Sequence, residues 1–255
     1  MKNLQNYLFK LCSEHLPSGF ETRSDRIKEI LESLVDECSV DAAGNVVGFR
    51  KAAIPGAKKL LLDAHLDEIG LIVTEIDDGG FIHFTNLAGF SPVCLPASSV
   101  TVFGTRALAG VVATLPPHLQ TKEESKKVTP IKDLVIDIGY SAEKARELVR
   151  VGDPILLRQS CAELMNNCVC GKALDNRVGV AVLLDVLTSI QKLPIPVDLY
   201  VVFSAGEEFN GFGARHAAWS IAPDEAIVVD VQCIFPALGP LSKCFHTKFI
   251  TTSPV

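Results

Sequence analysis

The sequence predicts an α/β protein whose main domain is split in two by an inserted β domain. Three observations lead there. Helix-spaced and strand-like segments alternate at both ends of the chain. Between about residues 71 and 159 that rhythm gives way to short β-like runs separated by Gly, Pro and Asp. The acids and the histidine with chemical potential all stand where apolar runs of the two outer parts pass into loops.

The first outer part begins with Leu4, Tyr7, Leu8, Leu11 and Cys12 at helical spacing, interrupted by polar residues. After Pro17-Ser18-Gly19, Ile27, Ile30, Leu31, Leu34 and Val35 form one stripe, which predicts a helix over 21–38. A hairpin of 39–41 with 46–50 follows around Gly44-Asn45, then a buried strand, KLLLDA, over 59–64. In the middle, LIVTEI, FIHF, SVTVFG, GVVATL, LVIDIG and PILL read as strands, with one amphipathic helix over 142–149. The α/β rhythm returns from Gly171 with a helix over 176–190, a strand over 197–204, a helix over 211–219 and a strand over 226–230. The expected domains are 1–70 with 164–255, and an inserted 71–163.

Composition narrows the function. Hydrophobic residues make up 48% and charged residues 21%, ordinary for a globular chain of 255 residues. A formal net charge of -6 argues against nucleic acid as a partner, because phosphate binding needs a basic face. No segment approaches the roughly 18 consecutive apolar residues of a membrane span, and the N-terminus lacks the apolar run of a signal peptide. The expectation is a cytoplasmic protein with no membrane partner. The eight cysteines lack paired C-x-x-C spacing and read as small buried hydrophobes, Cys168-Val169-Cys170 being the one close pair.

Four places carry the candidate chemistry. In Ala64-His65-Leu66-Asp67-Glu68, an extended chain sends His65 and Asp67 to one face, so the carboxylate can orient an imidazole that binds a metal. Asp175 stands where an N-capping acid belongs, before VGVAVLLDVL; it either caps that helix or bridges two ions. Glu207-Glu208 follows an apolar strand, and the adjacent charges repel; one can bind a cation while the other serves as general base. Asp230 closes EAIVVD as an oxygen ligand or a plain turn acid. Each alone has a bland reading. Together, one His, three carboxylate ligands and a spare Glu meet the needs of a two-metal hydrolase.

At these residues the chain resembles the dinuclear metallo-aminopeptidases of the glutamyl-aminopeptidase and tetrahedral (TET) aminopeptidase family. The matching segments are DAHLDEIGLIVTEID, PPHL, DLVIDIG, VGDP, GKALDNRVGVAVLL, VVFSAGEEFNGFGA and IVVDV, in the family's order. The resemblance implies a zinc-peptidase-like mixed sheet flanked by helices and a β-barrel-like insert used in dimerisation. It implies His65, Asp175, Glu208 and Asp230 as metal ligands, with Asp175 bridging. It also implies Glu207 as general base and Asp67 as the carboxylate that orients His65. Two divalent ions, zinc with cobalt or manganese as alternatives, and peptide substrates follow. So does a homo-oligomer built from dimers and extending to a dodecamer.

Three departures stand out. Asn176 replaces the family's usual Asp, and Ser204-Ala205-Gly206 precedes the Glu pair where Gln is usual. Family chains also run further and supply a last His ligand, whereas here QCIFPALGPLSKCFHTKFITTSPV ends at Val255, with His246 as the nearby substitute. The expected function is removal of N-terminal residues from peptides. The alternative is a truncated, catalytically impaired subunit with an assembly or regulatory role. A hydrolase for acylated amino acids or glycosides is a third reading.

Overall fold

A computed structural model of the chain describes residues 2–123, 126–231 and 249–250. The elements run, in order, α1 Lys2–Cys12, α2 Asp25–Glu32, β1 Glu37–Val40, β2 Val46–Arg50, β3 Lys59–His65, β4 Gly70–Ile76, β5 Ile82–Leu87, β6 Ser99–Phe103 and β7 Ala107–Ala113. They continue with β8 Val135–Asp137, α3 Ala142–Leu148, β9 Pro154–Leu157, β10 Ala162–Leu164, β11 Cys168–Cys170, α4 Leu174–Ile190, β12 Asp198–Ser204, α5 Glu207–Asn210, α6 Phe212–Ile221, β13 Glu225–Val228 and β14 Phe249–Ile250. The chain forms two compact units, Met1–Glu68 with Cys161–Val255, and Ile69–Ser160.

The first unit is built on a mixed six-stranded sheet in the order β1-β2-β12-β3-β13-β14. Its middle strands β12, β3 and β13 are parallel, with Ser204 opposite His65 and Val228 opposite Asp63. One layer of core joins Leu8 and Leu11 of α1, Ile27 and Leu31 of α2, and Val180, Leu183, Leu184 and Leu187 of α4 to Leu62, Val201 and Phe203 of the sheet. Ala217 and Ile221 of α6 pack with Leu61 and Val202 in a separate cluster. β3 and β12 therefore have near-continuous burial, which is why both read as apolar runs rather than as alternating strands.

The second unit is a closed barrel, β4-β5-β8-β7-β6-β9. Closure leaves no free edge. β7 shows the alternation expected of a strand with one face inside, with Leu108, Gly110 and Val112 buried and their neighbours not. Its core holds Leu71, Val73, Ile82, Phe84, Val100, Val102, Ile136 and Ile155.

Several sequence expectations need correction. The helix expected over 21–38 is a 3-10 turn at Glu21–Arg23 followed by α2, which ends at Glu32. Cys38 lies in β1 opposite Gly48, and the Asp36 amide donates to the Phe49 carbonyl, so sheet pairing overrides the helical stripe. Gly48 is what lets α2 approach: a Cβ there would meet Leu31 at 3.0 Å and Val35 at 3.1 Å. The strand expected to end at Asp230 ends at Val228. The β10–β11 hairpin was not foreseen, its strands being three residues each. Of the described cysteines only Cys12 is buried, while Cys94 and Cys168 are exposed, contrary to the reading as core hydrophobes. Cys233, Cys244 and His246 lie outside the described residues. Among the described residues no helix is long and apolar enough to cross a membrane.

Candidate metal centre

Three parallel neighbours end on the same edge of the first unit's sheet, and the candidate residues gather there. His65 is the last residue of β3, Glu207 and Glu208 open α5 just after β12, and Asp230 follows β13. The imidazole is 3% exposed. Its Nε2 lies 3.0 Å from Asp175 Oδ1, 3.8 Å from Glu207 Oε2 and 3.8 Å from Asp230 Oδ1. Ligand atoms of His65, Asp175 and Asp230 all lie within 4.8 Å of one another. The three carboxylates are about half exposed, so they form the floor of an open site rather than a sealed cluster.

Asp175 does not cap α4. The residues Asp175 and Asn176 have non-helical backbone angles, and the peptide joining them is cis. It is Asn176 Oδ1 that accepts the Gly179 amide at 3.0 Å, three residues on, in the manner of an N-cap. This leaves the Asp175 carboxylate free to face His65. Asn176 Nδ2 also donates to the Val229 carbonyl at 2.8 Å, tying the start of α4 to the segment that carries Asp230. An ionised aspartate at 176 would have no donor for that carbonyl, so the amide side chain has a local physical role here.

Asp67 is completely buried and joins three segments. It accepts the Ser18 hydroxyl, the Glu207 amide at 3.0 Å and the Glu208 amide at 3.2 Å. Its Oδ1 also lies 3.5 Å from His65 Nδ1, a close charge approach rather than a formed hydrogen bond, as Nδ1 has no partner of bonding geometry. Burial alone raises the Asp67 pKa, but His65, Ser18 and the Glu207 amide outweigh it and hold the carboxyl below its ordinary value. Ser18 was not singled out in the sequence. Its only signal there is the Pro17-Ser18-Gly19 turn.

Beneath this layer, Glu68 accepts Lys172 Nζ at 2.8 and 2.9 Å and the Leu16 amide at 3.2 Å. Arg177, fully buried, brings Nη2 to 3.6 Å from Glu68 and donates Nη1 to the Leu11 carbonyl at 2.9 Å. The cluster links the residue after Asp67 to the segment on both sides of Asp175.

The electrostatics are those of a cation site. Burial raises Glu207, Glu208 and Asp230, with neighbouring carboxylates adding to the effect at each; Glu208 is pushed up to about 7, Asp175 being the chief charge against it. Burial also takes Asp63, inside β3, to about 6. The imidazole is lowered by burial, but Asp175 and Asp67 outweigh this and raise it to about 10. Four acids facing one histidine are short of positive charge, and an imidazole with carboxylates suits Zn, Co and Mn alike. The donor set fits a divalent metal, with the Asp67 carboxylate 3.5 Å from the far ring nitrogen of His65.

Fold and site together define the class, an α/β peptidase fold with a metal-type donor cluster at the carboxyl ends of parallel strands. The chain belongs to the M42 glutamyl aminopeptidase family, whose model matches residues 44–240. A putative aminopeptidase of Acetivibrio thermocellus is 38% identical over 212 residues, 83% of this chain and 60% of that protein. This chain thus spans about three fifths of that relative's length. Among solved structures, the aminopeptidase APDkam598 of the archaeon Desulfurococcus kamchatkensis matches with a TM-score of 0.86 and 35% identity, covering 96% of this chain and 68% of that one. The Pyrococcus horikoshii TET1 peptidase, described as able to assemble into a tetrahedron or a large octahedral shell, matches with a TM-score of 0.83 and 31% identity, covering 94% and 72%. A stretch of 30 residues, 12% of the chain, is 73% identical to carbon monoxide dehydrogenase 1 of Methanosarcina mazei; so short a match carries no function.

Proposed function

We propose that the chain is a metal-dependent aminopeptidase that hydrolyses the N-terminal peptide bond of peptides. The observation that carries this reading is the convergence of Asp175, Glu207 and Asp230 on His65 Nε2 within 3.0 to 3.8 Å. His65, Asp175 and Asp230 would hold one ion, and Asp175 with Glu208 a second; zinc is proposed, with cobalt and manganese sharing the same donor preference. A bound divalent ion supplies Lewis-acid polarisation of a carbonyl and makes water more acidic.

The remaining work falls to the chain itself. Glu207 takes the proton from the attacking water and passes it to the leaving nitrogen, a role suited to a carboxylate raised above its ordinary pKa. Asp67 places its charge beside Nδ1 of the imidazole and accepts the Glu207 and Glu208 amides through its two oxygens, so ligand and base share one anchor. A cytoplasmic location belongs to the same proposal. So does a homo-oligomer in which the barrel unit dimerises, supported by kinship to a peptidase described as able to assemble into a tetrahedron or a large octahedral shell.

The test is Glu207→Gln. It keeps zinc content at the wild-type level and lowers turnover of an aminoacyl chromogen by about 100- to 10,000-fold, the span of general-base effects. Turnover within threefold of wild type removes Glu207 from the role of base.

A further inference from the structure

The turn that presents Glu207 and Glu208 is held through its backbone. Four consecutive amides each donate to a buried side chain: Ala205 to Asn45 Oδ1 at 2.8 Å, Gly206 to Glu21 Oε1 at 3.0 Å, and Glu207 and Glu208 to Asp67 at 3.0 and 3.2 Å. The acceptors come from three separate segments, the β1–β2 turn, the 3-10 turn before α2 and the end of β3. Asn45 and Asp67 are 0% exposed and Glu21 is 5% exposed.

This arrangement leaves the turn little freedom. Asn45 Nδ2 is committed to Asp41 Oδ2 at 2.7 Å and the Gly213 carbonyl at 2.9 Å, which fixes Oδ1 toward Ala205. Gly213 has no room for a side chain, since a Cβ would meet Asn45 Oδ1 and the Ala205 carbonyl at 2.3 Å. Gly206 has φ +65, and a Cβ there would lie 1.8 Å from the Phe212 ring. The first amides of any helix lack partners inside it, and α5 is four residues long. External acceptors therefore decide where its first residues sit. The Glu207 side chain is about half exposed, so packing does not place it.

We propose that Glu21 and Asn45 are positioning residues which, together with Asp67, hold the backbone of 205–208 so that Glu207 and Glu208 are presented to the donor cluster. The assignment builds on the aminopeptidase reading, but its physical content is separable from it. Glu21 Oε1 also accepts the Gly19 amide at 3.0 Å and Asp67 the Ser18 hydroxyl, yet all three acceptors converge on consecutive amides of the one turn that carries base and ligand.

Hydrogen exchange on the metal-free protein, with turnover and zinc content measured on the same variants, tests this. Glu21→Ala speeds exchange of the Gly206 amide, and Asn45→Ala that of Ala205, by about 10- to 100-fold, the range for losing a buried hydrogen bond. The amides of β3 and β12 exchange as before. Glu21→Gln keeps an acceptor oxygen and exchanges as wild type. Glu21→Ala lowers kcat about tenfold or more at unchanged KM and zinc content, as expected for a misplaced base, and Glu21→Gln recovers it. Unchanged exchange at 205–208 in both alanine variants, or faster exchange with undiminished kcat, overturns the proposal. A wild-type chain without any turnover counts against the aminopeptidase reading instead, and exchange then decides the positioning role alone.

Discussion

Glu68→Gln perturbs the buried charge cluster with almost no change of volume. The wild-type carboxylate sits 2.8 and 2.9 Å from Lys172 Nζ and 3.6 Å from Arg177 Nη2. The side chains of Glu68, Lys172 and Arg177 are only 4%, 7% and 0% exposed. Glutamine leaves two buried cations facing one neutral amide. Removing one partner from a buried ion pair costs about 3–5 kcal/mol, most of it the stranded charge. At roughly 2–4 °C per kcal/mol for a unit of this size, the melting temperature falls by about 6–20 °C. Lys172→Met is milder, because Arg177 still balances Glu68. Thermal unfolding followed by circular dichroism in the presence of chelator measures both variants without any contribution from metal. A fall below about 2 °C for Glu68→Gln, or a larger fall for Lys172→Met, would refute the idea that a stranded charge dominates.

Two further predictions concern the site itself. Asp67→Asn keeps the shape but replaces an acceptor of the Glu207 or Glu208 amide with a donor, and removes the charge facing His65 Nδ1. Zinc affinity measured by titration calorimetry then falls about 10- to 100-fold; affinity equal to wild type means that Asp67 does not orient the ligand set. In the metal-free protein, His65 is raised from 6.5 to about 10, so its stabilising contribution is full below pH 6.5 and disappears as pH rises through about 10. Glu208, raised from 4.5 to about 7, likewise favours the folded state when protonated, and that contribution is lost between those values. Both effects lower the melting temperature of the chelated protein from pH 5 to 9, whereas zinc binding releases protons and tightens over the same range. A metal-free melting temperature that climbs from pH 5 to 9 contradicts this charge balance.

Much of the site was legible because its residues stand at ends of apolar runs. KLLLD before His65 and VDLYVVFSAG before Glu207 announce strands, and the carboxyl edge of a parallel sheet brings their ends together. The roles of Asp175 and Asn176 were harder. An acid before VGVAVLLDVL has the same sequence signature whether it caps the helix or leaves that task to its neighbour. Ser18, Glu21 and Asn45 gave little signal, since their importance lies in contacts with chain 49, 185 and 160 residues away. Local spacing likewise overextended α2, as it carries no record of the pairing of Glu37 with Phe49. The barrel strands were found individually, but their order β4-β5-β8-β7-β6-β9 was not, because register and closure are properties of the assembled unit.

The most direct test of the central claim is aminoacyl-chromogen hydrolysis by the purified chain, assayed as isolated, after exhaustive chelation, and after zinc is restored, with metal content measured at each stage. The account predicts turnover that disappears on chelation and returns as zinc rebinds. Hydrolysis that persists in the metal-free protein would contradict it.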